Sequence, residues 1–369
     1  MGTSDGSDGD TLARLGGDEF IAVLVDLHNA DECDQILTRL LQAVALPIQV
    51  NDQAVRISAS AGVTLFPDDD SDPDSLLRHA DQAMYKAKQA GKNRYHLFDT
   101  EKNRRTASRT KSAHRVARAL ADGELVLHYQ PQTDLRSGRP VGVEALLRWQ
   151  DPERGLLAPG DFLPQIKDAD LLVRIDEWVL TQALAQLAAW HDAGLDLRLG
   201  VNISPPLLQQ PDFAIRLHTL LAAHPQLPRG ALELEILETA ALDDIPQASR
   251  VIADCHRLGV EFALDDFGTG YSSLTYLKDL PANTLKIDRV FVRDMLWDSG
   301  DLAIVEGVIG MSGAFRRTVV AEGVATLEHA DLLLRLGCDI VQGFGIAQPM
   351  PADQLAAWLA AWQPPAAWH

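Results

Sequence analysis

From Leu125 onward the chain alternates short β-rich runs with helical stretches, and no other feature of the sequence restricts the fold as strongly. Extended segments are expected at 125–129, 141–147, 197–203, 232–236, 261–265, 284–287, 318–321 and 339–341, from their runs of strand-forming residues. Helices are expected at 176–193, 214–223, 246–258, 302–314 and 327–336. Gly194, Gly259 and Gly337 stand where a helix stop is needed, because glycine takes left-handed backbone without a Cβ clash. About eight strands separated by helices over ~250 residues is the arithmetic of a TIM-type (β/α)8 barrel of the α/β class. A doubly wound open sheet is the competing arrangement, and strand counting alone does not separate the two.

The position of the polar residues adds a function to the pattern. Glu144 follows Pro-Val-Gly-Val, Asn202 follows Leu-Arg-Leu-Gly-Val, and Glu235 follows Leu-Glu-Leu. Asp265 and Asp266 follow Phe-Ala-Leu, Lys286 follows Thr-Leu, Glu322 follows Val-Val-Ala, and Gln342 follows Ile-Val. Each is expected at or near the C-terminal end of its strand, the barrel face on which active sites assemble. Neighbouring side chains on a strand point to opposite faces, so Asp265 and Asp266 are expected where the strand gives way to the Gly268-Thr269-Gly270 loop. Two dry carboxylates repel unless a cation or donor compensates. Carboxylates and an amide, without a Cys or His cluster, form an all-oxygen donor set suited to Mg²⁺ or Mn²⁺ rather than zinc. Paired hard cations of this kind serve phosphodiester hydrolysis, activating a water and balancing charge on the attacking and leaving oxygens. The 11 histidines are scattered, and no Ser-His-Asp arrangement is expected.

A net charge of −19 argues against non-specific nucleic-acid or acidic-membrane binding by the chain as a whole. Cys33, Cys255 and Cys338 lack metal spacing and read as buried thiols of a reducing, cytoplasmic compartment. No apolar run approaches the ~18 residues of a membrane span, and no signal-peptide pattern opens the chain. A longer parent could still be tethered to a membrane through other segments.

Five stretches are delimited: a disordered leader at 1–11, an α+β module at 12–99, a connector at 100–118, the barrel at 119–362 and a tail at 363–369. In the module, a hairpin around Gly16-Gly17-Asp18-Glu19 is followed by a helix near 32–45, strands near 55–57 and 61–66, a helix near 73–90 and a strand at 95–98. The connector carries Lys102, Arg104, Arg105, Arg109, Lys111, Arg115 and Arg118 and reads as a solvated helix between acidic flanks.

Arg14-Leu-Gly-Gly-Asp-Glu-Phe20 and Ala80-Asp-Gln-Ala-Met-Tyr-Lys-Ala-Lys-Gln-Ala-Gly-Lys-Asn-Arg94 resemble the GGDEF (diguanylate cyclase) family. The likeness covers only the C-terminal half of such a domain, and Ser7 stands where the family's inhibitory-site pattern has Arg before Asp10. It implies a partial GGDEF fold with a packing or regulatory role, without cyclase activity. Glu144-Ala-Leu-Leu-Arg-Trp149 resembles the signature of EAL-domain cyclic di-GMP phosphodiesterases, and 265–274 resembles that family's metal-binding loop. Asn202-Ile-Ser, Glu235-Ile-Leu-Glu238-Thr, Lys286-Ile-Asp288, Ala321-Glu322-Gly-Val and Gln342-Gly-Phe match in order. The resemblance implies hydrolysis of cyclic di-GMP to linear 5'-pGpG with two Mg²⁺ or Mn²⁺ ions per site, in a homodimer formed through this domain. Glu144, Asn202, Glu235 and Asp265 would hold one ion, with Asp265 bridging and Asp266 serving the second. Lys286 would contact the nucleophilic water, and Glu322 and Gln342 would support the metal shell, with Gln342 also facing substrate. Arg148 would hold a substrate phosphate, or else form a strand-end salt bridge to Glu153. Glu238 would tether the Gly268/Gly270 loop. A catalytically silent cyclic di-GMP receptor and a bifunctional cyclase/phosphodiesterase parent are the alternative readings.

Overall fold

The computed structural model describes residues 9–27, 30–51, 53–238, 244–269, 278 and 280–365. The expected leader, the Gly270 half of the loop and the end of the tail therefore lie wholly or mostly outside the described residues. The chain divides into two compact units, residues 1–107 and 108–369.

In the first unit, β1 (Thr11–Gly16) and β2 (Glu19–Val23) pair antiparallel, with Gly16 opposite Glu19 across the tight turn. Gly17 has φ +56°, which the turn requires and glycine supplies. The helix Ala30–Val44 follows, then a hairpin of β3 (Ile48–Val50) and β4 (Gln53–Val55) whose first strand sequence patterning does not pick out. β5 (Ala61–Val63) pairs parallel with β6 (Tyr95–Leu97), and the helix Pro73–Gln89 crosses between them. That helix starts at Asp72, whose side chain accepts from Ser75 N–H at 3.0 Å. Gly62 lies against its backbone: a Cβ there would sit 1.9 Å from the Ala80 carbonyl oxygen.

A helix, Thr100–Asp122, leads into the second unit. There β7 (Leu125–Asp134) and β8 (Arg139–Asp151) form a long hairpin, extended by β9 (Gly155–Leu157). β10 (Arg198–Asn202), β11 (Leu232–Leu237), β12 (Glu261–Phe267), β13 (Thr284–Ile287), β14 (Thr318–Ala321) and β15 (Ile340–Gln342) follow in order. Pairing of β10 with β8 and of β15 with β7 closes the sheet, so the open-sheet alternative falls away. The barrel has eight strands, and β7 runs antiparallel to both neighbours. The cause is local: residues 135–138 are too short a connection for a crossover helix, so β7 and β8 can only join as a hairpin.

Helices Ala169–Asp192, Phe213–Ala222, Ile245–Leu258, Ser299–Phe315 and Leu327–Leu336 occur between successive barrel strands. Gly259 and Gly337 end two of them in left-handed backbone, at φ +93° and +92°. Phe262, Leu199, Leu234, Leu285, Ile287 and Val341 join the core from the strands, and Leu180, Leu184 and Leu187 from the longest helix.

Candidate active site

The barrel interior is not a stack of aliphatic layers. Gln130, Gln132, Glu144, Glu233, Glu235, Thr284, Lys286 and Gln342 are all buried, and each comes from a barrel strand. Lys286, with a side chain 1% exposed, stands at the centre. Its Nζ lies 2.5 Å from Glu235 Oε2, 2.7 Å from Glu322 Oε1, and 3.4 Å from both Glu144 Oε2 and Asp265 Oδ1. Burial opposes the ammonium, but these carboxylates outweigh it and hold the Lys286 pKa well above that of a free lysine.

Amides organise the carboxylates from the sides. Asn202, at the end of β10, donates Nδ2 to Glu144 Oε1 at 2.6 Å and to Glu235 Oε2 at 3.3 Å. Gln342 donates Nε2 to Glu144 Oε2 at 2.5 Å and to Gln130 Oε1 at 2.9 Å, and its Oε1 accepts from Gln132 at 3.0 Å. The side chain expected to face substrate is thus buried and engaged in orienting Glu144. Gln130 and Gln132 escape sequence reading because β7 runs the other way, which removes them from any list of strand ends.

Glu144 departs from its expected position. It lies inside β8, which continues to Asp151 and forms the outer hairpin with β9; only the pairing with β10 stops near it, at Ala145. Arg148 lies four residues further on the same face. It is half-buried, with Nη1 donating to Leu147 O at 2.8 Å. Glu153, the alternative partner, pairs instead with Arg115 at 3.3 Å. Trp149 points the other way into the core, where its Nε1 donates to Glu124 at 2.8 Å.

The strand carrying the aspartate pair does not end at Asp265 as expected. β12 continues to Phe267 with a register irregularity against β13, and Asp266 takes a left-handed φ of +53°. This break lets adjacent side chains approach one site, where regular pleating would separate them. One oxygen from each of Asp265, Asp266 and Glu322 lies within 4.8 Å of the others. Asp288, at the N-terminus of the helix Arg289–Asp294, also interacts with Asp266. In the sequence it is marked only by the Lys286-Ile-Asp288 triplet, which by itself assigns it no role. Glu238 accepts from Gly268 N–H at 3.2 Å, and Gly268 has φ +101°.

Crowding of acids sets the titration. Burial, then the charges of Asp265 and Asp288, pushes Asp266 up to about 7, and burial raises Glu322 to about 8. Burial and the neighbouring Glu144 raise Glu235 well above the carboxylate range. Burial works against ionised Glu144 too, but Lys286, Gln342 and Asn202 keep its pKa below the usual value.

Glu235 Oε1 is buried without a hydrogen-bond partner among the described residues, and Asp265 Oδ1 is buried with only the 3.4 Å ion pair to Lys286. Orphaned anionic oxygens in an all-oxygen donor set are the environment a hard divalent cation fits. A cavity of about 1070 Å³ in the first unit, lined by Leu41, Leu65, Arg94 and Phe98 among others, contains none of these residues.

Residues 113–349 match the EAL domain family, and residues 4–94 match the diguanylate cyclase GGDEF domain. The bifunctional diguanylate cyclase/cyclic di-GMP phosphodiesterase MucR of Pseudomonas aeruginosa is 40% identical over 352 residues, covering 95% of this chain and 51% of that protein. The cyclic di-GMP phosphodiesterase PdeR of Escherichia coli is 35% identical over 347 residues, covering 94% of this chain and 52% of that protein. The chain thus spans about half the length of these relatives. Among solved structures, the PaMucR phosphodiesterase in complex with c-di-GMP is 41% identical at a TM-score of 0.64, covering 66% of this chain and 99% of that one. The EAL domain of Mycobacterium smegmatis DcpA is 37% identical at a TM-score of 0.56, covering 65% of this chain and 100% of that one. The match over the barrel, on a closed sheet with carboxylates gathered at its centre, shows that the chain belongs to the EAL domain family and carries a GGDEF-matching segment ahead of it.

Proposed function

We propose that this chain hydrolyses cyclic di-GMP to linear 5'-pGpG in bacterial second-messenger signalling, with Mg²⁺ or Mn²⁺ as cofactor. The observation that carries the reading is the convergence of Glu144, Glu235, Asp265 and Glu322 on Lys286, with Asn202 joining Glu144 to Glu235 and Glu235 Oε1 left buried without a hydrogen-bond partner among the described residues. The names of MucR and PdeR, and the c-di-GMP bound to PaMucR, support the substrate. Glu144, Asn202, Glu235 and Asp265 would hold one cation, with Asp265 shared and Asp266 on a second. When bound, such ions acidify a water and neutralise charge on the phosphodiester.

The chain's own residues do the rest. Lys286 Nζ stays protonated and presents fixed positive charge to the carboxylates around it. Gln342 fixes the rotamer of Glu144, and Glu322 holds Lys286 from the outer side. Arg148, on the same strand face as Glu144, offers a forked guanidinium to a non-bridging phosphate oxygen pair. Glu238 holds the Gly268 backbone and so the near end of the adjoining loop.

Three free, buried cysteines support a reducing, cytoplasmic setting. A homodimer through the barrel domain belongs to the same reading, supported by exposed Leu237 beside Glu238 and exposed Ile304 beside Gly268. Residues 12–99 are read as a structural or regulatory module, and incubation with GTP tests separately whether they carry cyclase activity. The principal test is incubation of the chain with cyclic di-GMP and Mg²⁺ or Mn²⁺. Linear 5'-pGpG is expected, and its formation should stop with EDTA. Tight binding of an unchanged ligand after long incubation with either metal favours the silent-receptor reading instead.

A further inference from the structure

Asn202 is exposed and ends its strand, so little packing of its own fixes the amide that reaches Glu144 and Glu235. The restraint comes from the next residues. Ile203 is buried and donates its N–H to Glu235 O at 3.0 Å. Ser204 is held by a residue distant in sequence: Asp176 Oδ2 accepts from Ser204 N–H at 2.9 Å and from Ser204 Oγ at 2.5 Å. Ser204 opens the short helix Pro205–Leu208, yet its hydroxyl makes no capping bond there. Pro205 and Pro206 bring no N–H of their own to stiffen the turn.

Asp176 lies on the helix Ala169–Asp192 among Val173, Ile175, Val179 and Leu180, all buried, and is itself only 9% exposed. A carboxylate on such a face is costly to bury unless its hydrogen bonds accomplish something an aliphatic side chain cannot. Both of its bonds to Ser204 fall two residues beyond Asn202, on the turn that aims the amide.

We propose that Asp176 is a positioning residue of the cation site: it anchors the turn after β10 and thereby sets the side chain of Asn202 against Glu144 and Glu235. The proposal rests on the reading of Asn202 as a cation ligand. Groups that hold a ligand from behind in this way change metal affinity by about 10–100-fold when removed.

The test is Mn²⁺ binding to the full chain, followed by electron paramagnetic resonance without substrate, alongside thermal unfolding of each variant. Asp176→Ala is expected to weaken Mn²⁺ binding by about tenfold or more, whereas Asp176→Asn, which keeps an acceptor oxygen for Ser204, stays within about threefold. Leu217→Ala, a core truncation on another helix, should lower the unfolding midpoint while leaving Mn²⁺ affinity in place. Wild-type affinity in folded Asp176→Ala overturns the proposal, as does equal weakening in Asp176→Asn. Should Asp176→Ala not fold, Ser204→Ala decides: a loss of about threefold or more supports the anchor, and unchanged affinity overturns it. A wild-type chain that binds no Mn²⁺ removes the cation site itself and the anchor with it.

Discussion

At the scale of single residues, the site depends on what is absent from Gly200 as much as on what its acids supply. A Cβ on Gly200 would stand 2.2 Å from Glu235 Oε1, yet its backbone is not left-handed, so the neighbouring carboxylate and not φ requires glycine. Gly200→Ala should therefore displace Glu235, weakening Mn²⁺ binding and turnover by at least about tenfold. Overpacking should cost about 1–3 kcal/mol of stability. Unchanged kinetics with unchanged Mn²⁺ titration would show that Glu235 has another place to go. Glu144→Ala makes the sharper case, because it removes the acceptor shared by Asn202 and Gln342: turnover of cyclic di-GMP should vanish while the barrel still unfolds cooperatively. Glu144 was legible from its sequence context, but the need for Gly200 was not. A Leu-Gly-Val run reads as a strand interior, and nothing in it names the side chain that fills the gap from the adjacent strand.

At the scale of elements, helix and strand order was readable because period and stop signals are local. The direction of β7 is not local in that sense: a strand count takes each strand as crossing over, and only the short 135–138 connection shows that this one cannot. The irregularity in β12 was likewise hidden, since adjacent aspartates suggest a strand end as readily as a break within the strand. The contact between the helix Ala169–Asp192 and the turn after β10 has a pH signature of its own. Burial pushes Asp176 up to about 6 from 3.8, despite its bonds to Ser204. The protonated form is thus favoured on folding, and stability from this residue is present at low pH and lost as pH rises between those values. The loss is on the order of 3 kcal/mol. Asp176→Asn has no such titration. Denaturant unfolding should show its stability advantage over the parent growing from pH 4 to pH 7, and a pH-independent difference would mean that Asp176 titrates normally in the fold.

For the barrel as a whole, the decisive fact is that its centre is an ionic cluster under-supplied with positive charge. Lys286 faces Glu144, Glu235, Asp265 and Glu322, with Asp266 and Asp288 beside them, in a chain whose net charge is −19. Aliphatic layers would hold such a barrel without help, whereas this interior would lower its energy on taking up a cation. Ligand linkage then makes a fold prediction separate from turnover. Mg²⁺ at about 100 times its dissociation constant should add about 2.7 kcal/mol of stability, a rise of several degrees in the barrel's unfolding midpoint. EDTA should reverse it. Lys286→Met extends the argument, because it leaves buried carboxylates facing one another without their ammonium. Without divalent ions it should lose about 3–5 kcal/mol, the cost of breaking a buried charge pair from one side. Its midpoint should then respond to Mg²⁺ more strongly than the parent's, since the entering cation has more repulsion to relieve. A midpoint indifferent to Mg²⁺ and Mn²⁺ in both proteins would mean that the central acids are balanced by shared protons, and that the barrel was built without a place for the metal.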